Sequence, residues 1–346
     1  MVVLQYRILG KTDLTVSEVG FGGIPILRLP ASEAVKILQY SLERGITFYD
    51  TANAYKDSED KIGQAFGHCR TKVVIATKTG RRDAAGATTH LENSLRMLRS
   101  DYIDLYQLHQ VSQEKDWQAI TAPGGALEAV VKAREQGKIR HLGITSHNLA
   151  MAIKLVKTGL FETIQFPFNF IEQEPKEELH KIAKEMNLGN IVMKPFAGGA
   201  LDNAALAFKF LRQYPEAIPI PGFDSVASID EILTIYEKPN QVKPEDLAAM
   251  EEYRRELGQR FCRRCEYCQP CPHGVMITPA MGYPIVAKRM SPQVSIEFSK
   301  AAMESVTNCV ECGACLPRCP YELAIPQIIR KNYEMFTEHR RLAGRN

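Results

Sequence analysis

Residues 45–55 read GITFYDTANAY, and this stretch sets the pattern from which the fold follows. A short apolar run, Thr47–Ala52, ends on polar residues, and a longer amphipathic run begins near Ser58. The same alternation recurs over the first 237 residues and predicts eight strands, each followed by a helix. The strands are Glu18–Gly23, Thr47–Ala52, Val73–Thr79, Tyr102–Gln110, His141–His147, Thr163–Asn169, Gly189–Ala197 and Ala217–Phe223. The helices are predicted to begin near Ala31, Ser58, Thr88, Gly124, Asn148, Pro175, Leu201 and Ser225.

Strands that alternate with helices predict a parallel sheet. Eight such units match, in number and length, a closed (β/α)8 TIM barrel, which takes roughly 250 residues. An open, doubly wound sheet is the alternative, but the turn after the first strand, Phe21–Pro25, lacks the G-x-G-x-x-G pattern of that fold. Before the first unit, Arg7–Leu9 and Leu14–Val16 flank a short turn, which predicts a β-hairpin across the bottom of the barrel.

Composition places the chain among ordinary globular proteins. Of its 346 residues, 45% are hydrophobic and 24% are charged, which excludes a disordered or collagen-like chain. The net charge of +3 is too balanced to indicate nucleic acid as a partner. No run approaches the roughly 18 apolar residues that a membrane span needs, and the first residues lack a signal-peptide pattern. We therefore expect a cytoplasmic protein that binds neither nucleic acid nor a membrane.

Four reactive side chains lie at or just beyond the ends of successive predicted strands. Asp50 lies at the end of the second strand and Tyr55 follows that strand, while Lys78 ends the third and His109 ends the fourth. In a TIM barrel the active site forms at this end of the strands. An ammonium lowers the pKa of a nearby phenol, so Lys78 can tune Tyr55 as a proton donor while Asp50 holds Lys78. Each residue alone has an ordinary structural explanation, but the set predicts proton transfer to a carbonyl that His109 orients.

The first 237 residues resemble the aldo-keto reductase family. The matching segments are Tyr6–Gly10, Leu14–Ser17, Gly45–Tyr55, Ala76–Lys78, Asp101–His109 and Gly137–Ser146. The resemblance implies a catalytic tetrad formed by Asp50, Tyr55, Lys78 and His109. It also implies reduction of a carbonyl or oxidation of an alcohol, with an NAD(P)(H) cofactor lying extended across the barrel mouth.

The cofactor-binding positions match the pattern of the family only in part. Ser146 and Gln165 match the positions that hold the carboxamide, whereas His147 stands where the family commonly has Asn. Acidic residues follow the eighth strand, where the family usually has basic residues that grip a 2′-phosphate, so the choice between NADH and NADPH stays open. The predicted cofactor-binding residues are Ser146, His147, Gln165, Met193, Lys194, Pro195, Gly198, Gly222 and Ser225.

Eight of the nine cysteines lie in one C-terminal segment, between Cys262 and Cys319. Clustered cysteines in a reducing compartment indicate a metal. The second run has the C-x2-C-x2-C-x3-C-P spacing of bacterial ferredoxins, and the first run is one residue shorter in its last interval. Zinc is an alternative, although zinc sites usually use two separated pairs of cysteines. A single surviving cluster is another alternative, because the first run is shortened.

The combination resembles the two-cluster ferredoxin domain that is fused to some aldo-keto reductases. On this resemblance we predict two [4Fe–4S] clusters with crossed ligands. One cluster would take Cys262, Cys265, Cys268 and Cys319, and the other Cys271, Cys309, Cys312 and Cys315. We therefore predict a barrel over residues 1–240, a connecting helix over 241–260 and an iron–sulfur domain over 261–346.

Two modules of this kind predict an oxidoreductase whose clusters relay electrons. The tail from residue 259 onward carries a net charge of +5, which favours a docking surface for a ferredoxin-like or flavin redox partner. Two alternatives stay open at this point. The clusters can be structural or regulatory in an NAD(P)-dependent reductase, or the protein can be a non-catalytic redox sensor that binds nicotinamide. The intact set of Asp50, Tyr55, Lys78 and His109 argues against the sensor.

Overall fold

The computed structural model describes residues 4–258 and 260–344. A two-stranded antiparallel hairpin, β1 (Tyr6–Ile8) and β2 (Thr15–Ser17), precedes a sheet of eight parallel strands. The strands pair in chain order: β3 (Phe21–Gly22), β4 (Phe48–Asp50), β5 (Val74–Thr79), β6 (Ile103–Leu108), β7 (Ile139–Thr145), β8 (Thr163–Pro167), β9 (Gly189–Met193) and β10 (Ala217–Pro219). The amide of Gly22 donates to the carbonyl of Pro221 at 2.7 Å, so the last strand meets the first. The predicted (β/α)8 barrel is confirmed.

Helices connect the strands and bury one face each against the sheet. They are α1 (Ala31–Glu43), α2 (Ser58–Phe66), α3 (Ala84–Leu98), α4 (Glu114–Thr121), α5 (Ala126–Glu135), α6 (Leu149–Lys157), α7 (Leu179–Glu185), α8 (Ala204–Leu211) and α9 (Val226–Tyr236). The predicted helix starts near Asn148 and Ser225 are confirmed, and both residues act as N-caps: the side chain of Asn148 accepts from the amide of Met151, and that of Ser225 from the amide of Ser228.

Several predicted helix starts were wrong by a few residues. α3 begins at Ala84 rather than near Thr88, because Asp83 caps it by accepting from the amide of Gly86. Pro175 lies in a 3-10 turn, Glu174–Lys176, and α7 starts only at Leu179. The short helix α4 lies in the loop after β6, where we predicted no helix.

The hairpin closes the bottom of the barrel, as predicted. Its side chains Leu9, Leu14 and Val16 are buried in one cluster with Phe48 and Leu105 from the barrel strands. Gly10, between β1 and β2, has a φ of +59°, and a Cβ there would lie 2.0 Å from the backbone nitrogen of Gly189. Only glycine fits that approach without strain.

The chain divides into two compact units. Of the described residues, 4–195 and 203–242 form the barrel unit, and 196–202 and 243–344 form the second. The second unit contains α10 (Pro244–Gly258), α11 (Ile277–Met281), α12 (Tyr283–Arg289), α13 (Pro292–Ser305) and α14 (Ile325–Ala343). Its core includes the buried side chains Tyr283, Met303, Ile329 and Phe336. The helix predicted as a connection, α10, therefore groups with the second unit.

No helix in the described part of the chain combines the length and the apolar character needed to cross a bilayer.

His141 at the start of β7 links the hairpin turn to the barrel wall. Its Nδ1 lies 2.7 Å from Glu162 Oε1, and its Nε2 lies 2.6 Å from Asp13 Oδ1. Burial acts to lower the pKa of His141, but the hydrogen bonds and charges of Glu162 and Asp13 outweigh burial and raise it. The folded state therefore favours the imidazolium.

Replacing His141 is expected to cost stability at low pH more than at high pH. A raised folded pKa stabilises the fold fully below the unfolded pKa of about 6.5, and this contribution disappears as the pH rises through the folded value. We expect His141→Gln to lower the stability of the barrel by about 1 kcal/mol at pH 6 and by less at pH 9. Thermal unfolding of both proteins at the two pH values measures this, and an equal loss at both would contradict it.

Candidate functional site at the barrel mouth

Polar side chains from β4 and β5 lie directly above the apolar core of the barrel. Residues two apart on a strand face the same side of the sheet. Phe48 and Ala76 belong to the buried core inside the barrel, so Asp50 and Lys78 also face inward, one step nearer the C-terminal ends of the strands. This end is where TIM barrels carry their active sites.

The structure brings the four predicted catalytic side chains together. Lys78 Nζ donates to Asp50 Oδ1 and to the carbonyl oxygen of Thr51, both at 2.6 Å. Lys78 is 1% exposed and Asp50 is 3% exposed. The same ammonium lies 5.2 Å from the centre of the Tyr55 ring, and the ring of His109 meets that of Tyr55 edge-on at 5.8 Å between centres.

Burial and charge set the protonation of this group. Burial raises the pKa of Asp50, and the ammonium of Lys78 opposes the rise. Burial, together with the positive charges of Lys78, Arg82 and Lys194, lowers the pKa of His109 to about 3. At neutral pH His109 is therefore an uncharged imidazole, which can hydrogen-bond an oxygen without adding a charge to the site.

Two buried glutamines complete the surroundings of Asp50. Gln107 Nε2 lies 3.2 Å from Asp50 Oδ2, and Gln165 Nε2 lies 3.4 Å from Asp50 Oδ1. Neither glutamine side-chain oxygen has a hydrogen-bond partner among the described residues. Buried acceptors without a partner are uncommon, and these two suit a donor such as a carboxamide NH2 group. Sequence reasoning missed Gln107, although it lies on β6 only two residues before His109.

Ser146 lies beside Gln165, and His147 follows it in the loop after β7. Thr145 pairs with Gln165 across β7 and β8, and the amide of Ser146 donates to the Gln165 carbonyl at 3.2 Å. The Ser146 hydroxyl donates to the carbonyl of Asn148 at 3.1 Å, and the amide of His147 donates to a serine hydroxyl at 2.9 Å. Ser146 thus stands next to the glutamine that contacts Asp50, directly after β7.

The predicted residues after β9 divide between the two units. Met193 pairs with Pro167 at the end of β9, and Lys194 follows with a φ of +58°. The Lys194 carbonyl accepts from Asn169 Nδ2 at 3.1 Å, and its charge acts on His109. Pro195 is buried and ends this part of the barrel unit. Gly198 belongs to the loop 196–202 of the second unit, with a φ of +73°.

Gly222 and Ser225 each have a structural explanation. A Cβ on Gly222 would lie 2.4 Å from Pro25 Cγ, and Gly222 bridges to Gly22 where the barrel closes. Ser225 caps α9.

The acidic residues near Ser225 are paired with arginines from earlier in the chain. Asp224 Oδ2 lies 2.6 Å from Arg28 Nη2, and Asp230 forms an ion pair with Arg44. Tyr40 also donates to Asp230, at 2.8 Å. The sequence indicated an acidic rim here, and the structure shows that arginines distant in sequence offset part of that charge.

The eight clustered cysteines of the second unit gather around two cavities. One cavity is lined by Cys262, Cys265, Cys268 and Cys319. The other is lined by Cys271, Cys309, Cys312 and Cys315. Within residues 4–258 and 260–344, no three Cys, His, Asp or Glu side chains are close enough to hold one metal ion. Each cavity instead offers four cysteines around a wider space.

The two cysteine loops repeat one backbone conformation. The second residue after the first cysteine is left-handed in both: Arg264 at φ +60° and Glu311 at φ +54°. The residue after the second cysteine is left-handed too: Glu266 at φ +64° and Gly313 at φ +74°. Non-glycine residues seldom adopt this conformation. Its recurrence at equivalent positions indicates two copies of the same ligand-wrapping loop, and the apolar wall residue Ile277 lines both cavities.

The barrel gathers Asp50, Tyr55, Lys78 and His109 at its mouth, and the second unit carries two sets of four cysteines, a combination that suits a redox enzyme. The chain belongs to the aldo/keto reductase family, whose family model matches residues 18–207. A 4Fe-4S dicluster domain matches residues 261–324. The protein is thus an oxidoreductase of this family with a fused iron–sulfur domain.

Known relatives agree with this assignment. The chain is 29% identical to the oxidoreductase YqkF of Bacillus subtilis over 263 residues, which cover 72% of this chain and 81% of that protein. It is 32% identical to the Bacillus subtilis oxidoreductase YrpG over 237 residues, 59% of this chain and 70% of that protein. A solved aldo-keto reductase from Klebsiella pneumoniae, in complex with NADPH, has a TM-score of 0.62 and 22% identity, covering 73% of this chain and 96% of its own.

Proposed function

We propose that the barrel reduces a small carbonyl compound, or oxidises the corresponding alcohol, by hydride transfer from or to NAD(P)(H), with Tyr55 as the proton donor or acceptor. The observation that carries the proposal is the position of the Lys78 ammonium, held by Asp50 at 2.6 Å and lying 5.2 Å from the Tyr55 ring centre. Such a neighbour favours the phenolate, which makes Tyr55 a better acid near neutral pH.

Each side chain of the group has a part in the proton transfer. Tyr55 gives its phenolic proton to the carbonyl oxygen as charge develops there. Lys78 stabilises the phenolate that remains, and Asp50 keeps the ammonium in place. His109, uncharged because of burial and its cationic neighbours, orients the carbonyl oxygen by a hydrogen bond. When bound, the nicotinamide supplies or accepts the hydride.

The residues at the rim fit a nicotinamide. The unpartnered side-chain oxygens of Gln107 and Gln165 suit the NH2 group of its carboxamide. The NADPH complex of the Klebsiella pneumoniae neighbour supports a cofactor of this kind. Because Asp224 is paired with Arg28 at 2.6 Å, the acidic rim alone does not exclude a 2′-phosphate. The proposal therefore covers both NADH and NADPH.

The second unit would hold two [4Fe–4S] clusters with crossed ligands. The two cavities support this ligand assignment, because each is lined by three cysteines of one run and one cysteine of the other. When bound, the clusters supply single electrons. Cys312 is exposed, which favours exchange with a ferredoxin-like or flavin partner at that end of the unit. Two reduced one-electron carriers together supply the two electrons of one hydride, so exchange between the clusters and NAD(P)(H) would consume two carriers and one proton for each hydride that the barrel transfers.

One experiment with two electron donors tests both halves of the proposal. The protein with its clusters is assayed anaerobically on a panel of aldehydes and ketones with NAD(P)H that carries two deuterium atoms at C4. We expect the alcohol to contain deuterium, because hydride moves directly from the nicotinamide. In the second arm, reduced methyl viologen and unlabelled NAD(P)+ replace the labelled donor, and we expect turnover only with clusters present.

Each arm tests a different half of the proposal: the first tests hydride transfer, and the second tests the electron relay through the clusters. Alcohol that contains only solvent hydrogen in the first arm would contradict hydride transfer. Deuterium transfer in the first arm, without any turnover driven by viologen, would contradict the relay and leave the clusters with a structural or regulatory role. Binding of NAD(P)H without turnover of any substrate in either arm would favour the sensor.

A further inference from the structure

The guanidinium of Arg82 donates two hydrogen bonds to the backbone at the end of β6, where His109 lies. Arg82 lies in the loop between β5 and α3, and its Nη1 donates to the carbonyl of His109 at 2.9 Å. Its Nη2 donates to the carbonyl of the next residue, Gln110, at 3.1 Å. The planar fork of an arginine thus holds two consecutive carbonyls, which a lysine could not do in the same geometry.

The backbone at this point is strained. Gln110 has a φ of +54°, in the left-handed region that costs a non-glycine residue free energy. Hydrogen bonds on both sides hold it there: its amide donates to Thr145 Oγ1 at 2.8 Å, and its carbonyl accepts from Arg82. Residues in such conformations persist only where their surroundings fix them, and they cluster at functional sites.

Arg82 is itself held on two sides. Its Nε lies 3.3 Å from Asp116 Oδ1 on α4, with the side chains 23% and 24% exposed. Its carbonyl accepts from the amide of Ala126 at 2.8 Å, at the start of α5. The amide of His109 donates to the Thr79 carbonyl at 2.9 Å, so the strand end is tied to β5 as well. The clamp therefore joins the loop after β5, the end of β6 and the helix α4.

We propose that Arg82 is a positioning residue, which clamps the carbonyls of His109 and Gln110 so that the His109 ring faces Tyr55 at the barrel mouth. The inference rests on the proposed function, since it assigns His109 the task of orienting the carbonyl substrate. Arg82 acts through the backbone at the end of β6, where it holds the carbonyls of His109 and Gln110. Its charge, with those of Lys78 and Lys194, also disfavours the imidazolium form of His109.

Replacement of Arg82 by alanine, with the neighbouring Arg81→Ala as the matched control, tests the proposal. Arg81 carries the same charge, but its Nε contacts His90 at 3.2 Å instead of the end of β6. Using deuterated NAD(P)H and a carbonyl substrate that the wild type reduces, we expect Arg82→Ala to lower kcat about 10- to 100-fold, because small misplacements of a reacting pair are costly. Arg81→Ala is expected to keep kcat, and free guanidinium is expected to restore part of the rate of Arg82→Ala. Arg82→Lys keeps the charge but not the forked guanidinium, and its kcat is expected to lie between those of Arg82→Ala and Arg81→Ala.

The outcomes separate this inference from the function on which it rests. Absence of deuterium transfer in the wild type would contradict the proposed function itself. With an active wild type, an unchanged kcat in Arg82→Ala would overturn the clamp. An equal loss in Arg81→Ala, or a loss in Arg82→Ala that guanidinium does not restore, would also overturn it, since a general loss of structure or charge would then explain the result. Thermal unfolding of each variant accompanies the kinetics.

Discussion

The Tyr55→Phe variant is expected to lose carbonyl reduction by about two to four orders of magnitude, the range that a positioned general acid contributes. Phenylalanine keeps the ring that lies 5.2 Å from Lys78 Nζ and 5.8 Å from the His109 ring. It removes only the hydroxyl that would deliver the proton. Because the ring contacts remain, binding of NAD(P)H is expected to stay within a few-fold of the wild type. Single-turnover kinetics measures the first quantity, and titration of nicotinamide fluorescence measures the second.

A matched control comes from the opposite end of the barrel. Tyr6 lies on the hairpin, half exposed, and its hydroxyl donates to the carbonyl of Gly45 at 2.9 Å. Tyr6→Phe also removes one phenolic hydroxyl, yet it is expected to leave the rate of carbonyl reduction unchanged. Retained turnover in Tyr55→Phe would show that the proton comes from another group. A parallel loss of NAD(P)H binding would show that Tyr55 acts in binding instead.

The order of elements along the barrel was predictable because each strand is an apolar run that ends in polar residues. In β4 the apolar residue Phe48 is followed by the polar pair Asp50 and Thr51, and in β5 the run ends in Lys78. Strand length and polar ends are local properties, so the sequence alone sufficed to group Asp50, Tyr55, Lys78 and His109. A closed barrel then brings the ends of successive strands to one rim.

What the sequence did not reveal depends on contacts between distant residues. Arg28 pairs with Asp224, which lies 196 positions later in the chain, and no local sequence pattern predicts this pair. Gln107 lies on β6, two residues before His109, but a glutamine in a strand resembles an ordinary barrel-filling residue until its contact with Asp50 at 3.2 Å is known. The grouping of residues 196–202 with the second unit is likewise a property of tertiary packing.

Replacing Cys319 by alanine is expected to remove the cluster whose other ligands lie some fifty residues earlier in the chain. Cys319 shares its cavity with Cys262, Cys265 and Cys268, whereas the cysteines next to it in sequence line the other cavity. A [4Fe–4S] cluster needs four thiolates, so loss of one ligand prevents its stable assembly. Iron should fall from about eight to about four atoms per chain, and the reduced protein should lose one of two cubane signals in electron paramagnetic resonance.

Pairs of substitutions decide which cysteines share a cluster. If the ligands cross, Cys319→Ala combined with Cys262→Ala removes one cluster only, because both residues serve the same cavity. Cys319→Ala combined with Cys309→Ala then removes both clusters. If each run instead binds its own cluster, Cys319→Ala with Cys262→Ala removes both clusters, and Cys319→Ala with Cys309→Ala removes only one. The proposed ligand assignment would then be wrong. Cys69→Ala, in the barrel unit and distant in sequence from both runs, is the control and is expected to keep the full iron content. Because the comparison is between two double variants, partial instability of any single variant does not change which pattern is seen.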